Sequence, residues 1–328
     1  MSDCLPIHPQ PLKDESLTSW VVRLANANAI PVRSFLSSYF GNEEWRRRDL
    51  DLLDSPRLAE LARVGRPVGG DTALQNMTLT KSVRAIGPRN PADRKSWISS
   101  LWVTRYCPLC LVRDRVPYLR FTWRLRFLPV CVEHRVLLHR QCWKCGRTQP
   151  LLHFLSEDRP TLCKSCDSEL SKSPVVQPIH CEYLYRFTTR MTEVLEGSSR
   201  PMPKSDYTAA EFFTILRLLM RFFDHYMPPQ GKSWEELCQT HGLPLVNPGE
   251  WRDNEATACV LLEESLRMME AWPSSVGNFL LARMGMFDRD IRYLVWNPEA
   301  RSLLAPFFAL PQQIVVRSPR RGLNRSQN

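Results

Sequence analysis

Cys107-Pro108-Leu109-Cys110, Cys131-Val132-Glu133-His134, Cys142-Trp143-Lys144-Cys145 and Cys163-Lys164-Ser165-Cys166 follow one another between Arg105 and Leu170. Two residues between donors let one tight turn aim both side chains at a single ion. Zinc takes sulfur and nitrogen donors in a tetrahedron at about 2.0–2.3 Å. Twenty residues separate the first pair from the second, and 17 separate the third from the fourth. Both gaps fall in the roughly 15–20 expected where two turns pinch one metal. The simplest reading closes two sites in succession, Cys107, Cys110, Cys131 and His134 around one zinc ion and Cys142, Cys145, Cys163 and Cys166 around a second. This leaves shorter loops than an interleaved pairing of the first with the third and the second with the fourth, but spacing alone leaves both open. His139 could stand in for His134, although its separation from Cys131 fits a tight turn poorly.

A catalytic zinc keeps one position open for water, whereas each of these sets counts four protein donors. The nearest acids, Glu133 and Asp114, stand in no H-x-E motif of the deaminase kind. The expectation is a protein with no enzymatic activity whose two zinc ions are structural.

Arg105, Arg113, Arg115, Arg120, Arg124 and Arg126 lie among these donors, interleaved with Tyr106, Tyr118, Phe121, Trp123 and Phe127. From Arg120 to Phe127 the alternation has the period of two of a strand, which predicts arginines on one face and aromatic rings packed on the other. Such a face could grip phosphates or a carboxylate-bearing partner, because guanidinium favours planar, bidentate contacts.

The chain has 328 residues and a formal net charge of +10. Residues 101–182 carry +6 of that charge, against +3 over residues 1–100 and +1 over the remainder. Seven ligating thiolates and two divalent ions would lower the total to about +7, still basic. With only 13 glycines the chain contains no G-x-G-x-x-G, no phosphate-binding P-loop, no G-x-S-x-G and no H-E-x-x-H. The polar, proline-containing start from Met1 to Asp14 has no signal-peptide pattern, and no apolar run is long enough to span a bilayer. A cytoplasmic protein without membrane contact is expected, and there 11 cysteines read as thiols and ligands rather than a disulfide framework.

Helices flank the metal segment. Leu17, Trp20, Val21 and Leu24 recur at helical spacing after Asp14 or Ser16 as cap, and Val32, Phe35, Leu36 and Phe40 line a second helix beyond Pro31. Ser55-Pro56 opens a third, and Thr72 to Leu79 resumes the pattern after a turn over Gly65 to Gly70. Two such pairs read as helix-turn-helix packing, with DNA contact or plain scaffolding as its role. Behind the metal segment, helices are expected over 207–227, 254–272, 274–284, 288–295 and 298–308. Cys4, Cys181, Cys238 and Cys259 read as unpaired thiols, with His180 a weak metal candidate. The adjacent acids Glu235-Glu236 and Glu263-Glu264, and Asp288 with Asp290, are given no catalytic role. The fold class is mainly α with small zinc-ribbon β elements. Its segments are an N-terminal helical part over 1–100, a tandem zinc module over 101–182, a C-terminal helical part over 183–316 and a basic tail over 317–328.

The run Asp14-Glu15-Ser16-Leu17-Thr18-Ser19-Trp20-Val21-Val22-Arg23-Leu24-Ala25, together with Arg105-Tyr106-Cys107-Pro108-Leu109-Cys110, Trp123-Arg124, Cys131-x-x-His134 and Cys142-x-x-Cys145, resembles the TniQ family, related to TnsD. The resemblance covers residues 5 to about 170 and only loosely the helices behind them. It implies a target-site selector of an ATPase-regulated DNA transposon. Members find the destination by reading DNA themselves or by attaching to an RNA-guided, Cascade-type complex, as in CRISPR-associated transposons, and recruit an AAA+ ATPase. The resemblance further implies an N-terminal helix-turn-helix, tandem zinc motifs, contact with DNA or RNA and, for some members, a head-to-tail homodimer. The chain is shorter than direct attachment-site readers, which favours the RNA-guided adaptor over the direct DNA binder. A zinc-dependent nucleic-acid enzyme is the remaining, least favoured reading.

Overall fold

A computed structural model describes residues 5–40, 49–53, 55–86, 97–98, 103–149, 161–177, 181–195, 208–226, 236, 239 and 255–270. Helix α1 (Leu17–Ala27) starts at Ser16, whose hydroxyl accepts from the Ser19 backbone N–H at 3.2 Å. That settles the cap in favour of Ser16, since Asp14 adopts a left-handed backbone (φ 58°) ahead of the helix. α1 is buried nearly all round: Leu17, Trp20, Val21, Val22, Leu24 and Ala25 are fully enclosed. Its polar residues are satisfied inside. Thr18 donates from backbone and hydroxyl to Asp51 at 2.7 and 2.9 Å, and Glu15 takes a bidentate pair from Arg23 at 2.7 and 2.8 Å.

α2 (Val32–Phe40), α3 (Ser55–Gly65) and α4 (Gly70–Asn76) pack around α1. α3 comes so near that a Cβ on Gly65 would lie 2.5 Å from the Trp20 ring, so only glycine fits that approach. α5 (Thr80–Ile86) leads away toward the far helices. The helix pairs expected over residues 17–40 and 55–79 are therefore present, with α1 buried along most of its length and Asn26 exposed near its end.

The metal segment contributes one short helix, α6 (Pro108–Arg113), with a proline in its first turn. Among the described residues its β structure is limited to isolated antiparallel bridges, including Tyr106 with His139, Val130 with Leu137, Gln141 with Thr148 and Leu162 with Glu169. α7 (Cys181–Leu195), α8 (Ala209–Tyr226) and α9 (Glu255–Glu270) complete a mainly α fold. α8 and α9 match expected helices, whereas α7 was not anticipated. The helices expected over 274–284, 288–295 and 298–308, the tail over 317–328, Cys4, Cys238 and His180 lie outside the described residues. Cys259 is the buried thiol that was expected, its ionisation suppressed by burial.

Two hydrophobic cores result, and each draws on several parts of the chain. The first joins α1–α4 to Tyr106, Leu111, Leu119, Trp123 and the cysteines Cys107, Cys110, Cys131, Cys142 and Cys163. In the second, α7–α9 pack with Leu79, Ile86, Trp97, Leu125, Phe127 and Val130, and the Trp97, Phe127 and Phe213 rings meet at 4.6–5.7 Å. The first core runs across residue 100, and the second across both 100 and 182.

The strand expected over Arg120–Phe127 is corrected. Phe121–Arg124 is a 3₁₀ turn, and the arginines flanking and ending it point inward. Arg124, 1 % exposed, donates to Asp49 at 2.6 and 2.7 Å and to Asp51 at 2.7 Å. Arg120 forms a bidentate pair with Asp114 at 3.0 and 3.1 Å, its guanidinium lying over the Tyr118 and Trp123 rings. Arg105 donates to the Trp123 and Leu125 carbonyls and pairs with Glu255 of α9 at 3.2 Å. These three are internal ties and cannot meet a partner. Arg126 is half-buried, and only Arg113 and Arg115 of the six are exposed. Removing one member of a buried ion network strands its partners at a cost of about 3–5 kcal/mol. Arg124→Met, which leaves Asp49 and Asp51 facing each other, is expected to lose that much by denaturant unfolding. Arg115→Ala should change stability by less than about 0.5 kcal/mol.

Candidate metal centres

Three of the four donor pairs are built to one pattern. The N–H of the residue after the second donor returns to the carbonyl of the first, Arg135 to Cys131, Gly146 to Cys142 and Asp167 to Cys163, at 2.8–2.9 Å. The first cysteine's own N–H reaches the carbonyl five residues on, Val136, Arg147 or Ser168, again at 2.8–2.9 Å. Closing this loop requires a left-handed backbone just after the second donor, and Arg135, Gly146 and Asp167 have φ of 56°, 70° and 53°. The remaining pair differs: Cys107 caps α6 and Cys110 sits in its first turn, with the Leu111 N–H returning to Cys107 at 3.2 Å.

The pairs combine in succession. Cys107, Cys110, Cys131 and His134 form one group and Cys142, Cys145, Cys163 and Cys166 the other, with the donor atoms of each group within 4.8 Å of one another. The interleaved alternative is thereby set aside. His139 belongs to neither group; its ring stacks on Tyr106, centroids 5.7 Å apart. In the first group Sγ of Cys110 and Cys131 are 3.6 Å apart, and Nδ1 of His134 lies 3.2–3.7 Å from the three sulfurs. In the second, Cys142 to Cys166 is 3.7 Å and Cys145 to Cys163 is 3.6 Å. A tetrahedron with metal–sulfur bonds of about 2.3 Å has edges near 3.7 Å. A disulfide would need about 2.05 Å. Both groups therefore fit a tetrahedral ion, and sulfur donors select a soft or borderline divalent cation.

Among themselves the first group's sulfurs share protons unequally. Hydrogen bonds from Cys107 and Cys110 pull the Cys131 thiol down to about 2. Cys110, giving such bonds to Cys107 and Cys131 while buried, is pushed up. In the second group burial opposes ionisation of Cys142, yet the Ser168 hydroxyl at 3.0 Å and backbone N–H groups bring it down to about 6. Gln149 Nε2 and the Ser165 N–H each approach Cys163 Sγ at 3.4 Å. The sequence reading missed these supporting donors, although a serine two residues beyond Cys166 carries that signal. Burial also divides the groups. All three cysteines of the first are buried, whereas Cys145 of the second is exposed and Cys166 half-buried. Tyr106 ties the two groups together, its hydroxyl meeting the Gln141 carbonyl and Ser173 at 2.9 Å.

Residues 6–138 match the TniQ family model. The match spans 133 of the 328 residues. The matched segment contains the whole first donor group and ends before the second. No curated protein matches the chain. Among the described residues no helix is long and apolar enough to cross a membrane.

Exposure orders the release of bound metal. A chelator is expected to strip one equivalent from the second group first and to take the other, with loss of helical circular dichroism, only afterwards. Gly146→Val forces a β-branched residue into left-handed backbone, at roughly 1–2 kcal/mol. Nothing lies within 4 Å of the added Cβ, so the fast step alone should accelerate, about tenfold.

A pH effect follows from His139, whose ionisation is lowered by burial, with its Nε2 enclosed. Below pH 6.5 the unfolded chain takes up the proton first, so stability falls with falling pH until the folded imidazole also ionises. His139→Phe, which keeps a ring on Tyr106, is expected to remove the part of the loss that begins near pH 6.5 in denaturation midpoints.

Proposed function

We propose that this chain is a non-catalytic adaptor for target-site selection in a DNA transposon. It links an RNA-guided, Cascade-type complex to an AAA+ ATPase that regulates insertion. The observation carrying this reading is a TniQ domain whose internal donor group is closed at four protein ligands. A closed tetrahedron leaves no position for an attacking water, so each site serves as a cross-link. Zinc is the ion this reading assigns, since sulfur and nitrogen donors at these separations suit its radius and lack of geometric preference. When bound it supplies charge neutralisation and rigidity only.

The chain's own residues do the rest. Cys107 and Cys110 fix the start of α6 against the Cys131–His134 knuckle, and the buried arginines fasten that assembly to α9 and to the Asp49–Asp51 segment. Rigid, shaped surfaces are what an adaptor presents to two partners at once. In this reading the helix pairs α1–α2 and α3–α4 act as scaffold, their apolar faces joined in one core.

The test is co-purification of the zinc-loaded chain with a guide-RNA effector complex, scored with and without the ATPase. Retention of the ATPase only when both other components are present is expected. Nanomolar binding of one specific duplex by the isolated chain in about 150 mM salt, where non-specific phosphate contacts are weak, would overturn it in favour of direct DNA reading.

A further inference from the structure

Six large apolar side chains stand out to solvent among the described residues, and one of them is an aromatic ring: Trp143, 46 % exposed. It occupies the tip of the Cys142–Cys145 knuckle. Its indole N–H donates to the Glu169 carbonyl at 2.9 Å, just beyond the opposing Cys163–Cys166 knuckle. That bond ties down one edge of the ring across the donor group and leaves a broad part of it in water. Lys144 and Arg147, the next residues of the knuckle that are neither ligand nor glycine, are both exposed, and neither is in an ion pair among the described residues. Lys164 is exposed on the opposing knuckle. Lys172 is held by Glu169 at 3.1 Å.

Over residues 140–149 and 163–172 there are five cations, Arg140, Lys144, Arg147, Lys164 and Lys172, against Asp167 and Glu169. Four metal-bound thiolates would add −2 net, so the surface keeps a surplus of about one positive charge. This composition is wrong for a protein-docking patch, which needs several apolar side chains at its centre; here a single ring is surrounded by polar tips. It is also wrong for gripping a duplex, where the bases are already stacked and many phosphates must be met. One pinned aromatic plane with two exposed cations on the same knuckle is the arrangement that takes an unpaired base with its flanking phosphates.

We propose that the Cys142–Arg147 knuckle is a stacking platform for single-stranded nucleic acid, with a base on the Trp143 ring and the adjoining phosphates on Lys144 and Arg147. This moves nucleic-acid contact away from Arg105, Arg120 and Arg124, which the fold uses internally. It deepens the adaptor reading and rests on it for the origin of the strand, whether guide RNA or displaced DNA.

Fluorescence anisotropy of labelled oligouridylate and oligothymidylate of about 12 nucleotides, with a duplex of equal length as the third arm, tests the platform on the metal-loaded full chain. Single strands should bind with Kd on the order of micromolar at low salt, tighter than the duplex. Preference between the RNA and DNA arms identifies the source. W143A should weaken binding at least about fivefold and W143F should restore most of it. K144A/R147A, which keeps the ring, should flatten the salt dependence by roughly 1.4 in log–log slope. Each variant is compared only with two metals per chain bound. Unchanged affinity in W143A, tighter binding of the duplex, or displacement of the ring's environment by an acidic peptide but by no oligonucleotide would overturn the proposal. A chain that binds no oligonucleotide yet co-purifies with guide complex and ATPase sinks the platform and leaves the adaptor standing. Trp143-dependent binding without co-purification does the reverse.

Discussion

Sulfurs 3.6–3.7 Å apart cannot all be ionised unless a cation lies among them, and this constraint governs the centre of the molecule. Each knuckle is a short loop with a left-handed residue and few apolar contacts of its own, and would be marginal alone. Joined through four donors, two such loops in the second group, or one loop and the start of α6 in the first, would become one rigid body. The first of these bodies is sunk in the same core as α1–α4, with Cys107, Cys110 and Cys131 in contact with apolar side chains. A metal held by that group would make metal affinity and folding stability of this part of the chain one quantity. The second group straddles the boundary of that core, with Cys142 and Cys163 inside it and Cys145 meeting solvent.

A second set of constraints is electrostatic and internal. Guanidinium groups enclosed to 1 % exposure need counter-charge or acceptors close by, and Arg124 donates from both terminal nitrogens to two aspartates while Arg105 donates to two carbonyls and Glu255. Basic charge in the middle segment therefore does two jobs. The buried arginines align the segment with helices before and after it, and the exposed Lys144, Arg147, Arg113 and Arg115 remain for contacts outside. Net charge alone does not separate these roles; burial does.

What the sequence disclosed follows the range over which each signal acts. The donor pairs were legible because a knuckle is a local object, complete within six residues, and α1 and α8 because their apolar spacing and boundary residues lie within one helix. α7 escaped notice: Thr188 and Thr192 are β-branched and interrupt its apolar stripe, their hydroxyls instead bonding back to the Leu184 and Thr188 carbonyls at 2.7 and 3.0 Å. The arginines were misread for the opposite reason. Their alternation with aromatic residues imitates a strand, and the carboxylates that draw Arg124 and Arg105 inward stand 75, 73 and 150 residues away. Pairing of the donor groups was likewise a long-range matter, which spacing narrowed and three-dimensional proximity decided.

The pair between Arg105 and Glu255 spans the boundary of the recognisable domain, since one partner lies inside residues 6–138 and the other far beyond them. Its consequence is a restriction on inheritance. A gene that exchanged the part encoding its C-terminal helices with a relative's by recombination would bring in a new residue opposite Arg105. Unless that residue were again an acid, the enclosed cation would lose its counter-charge, so the two portions of the chain are bound to travel together or to change together.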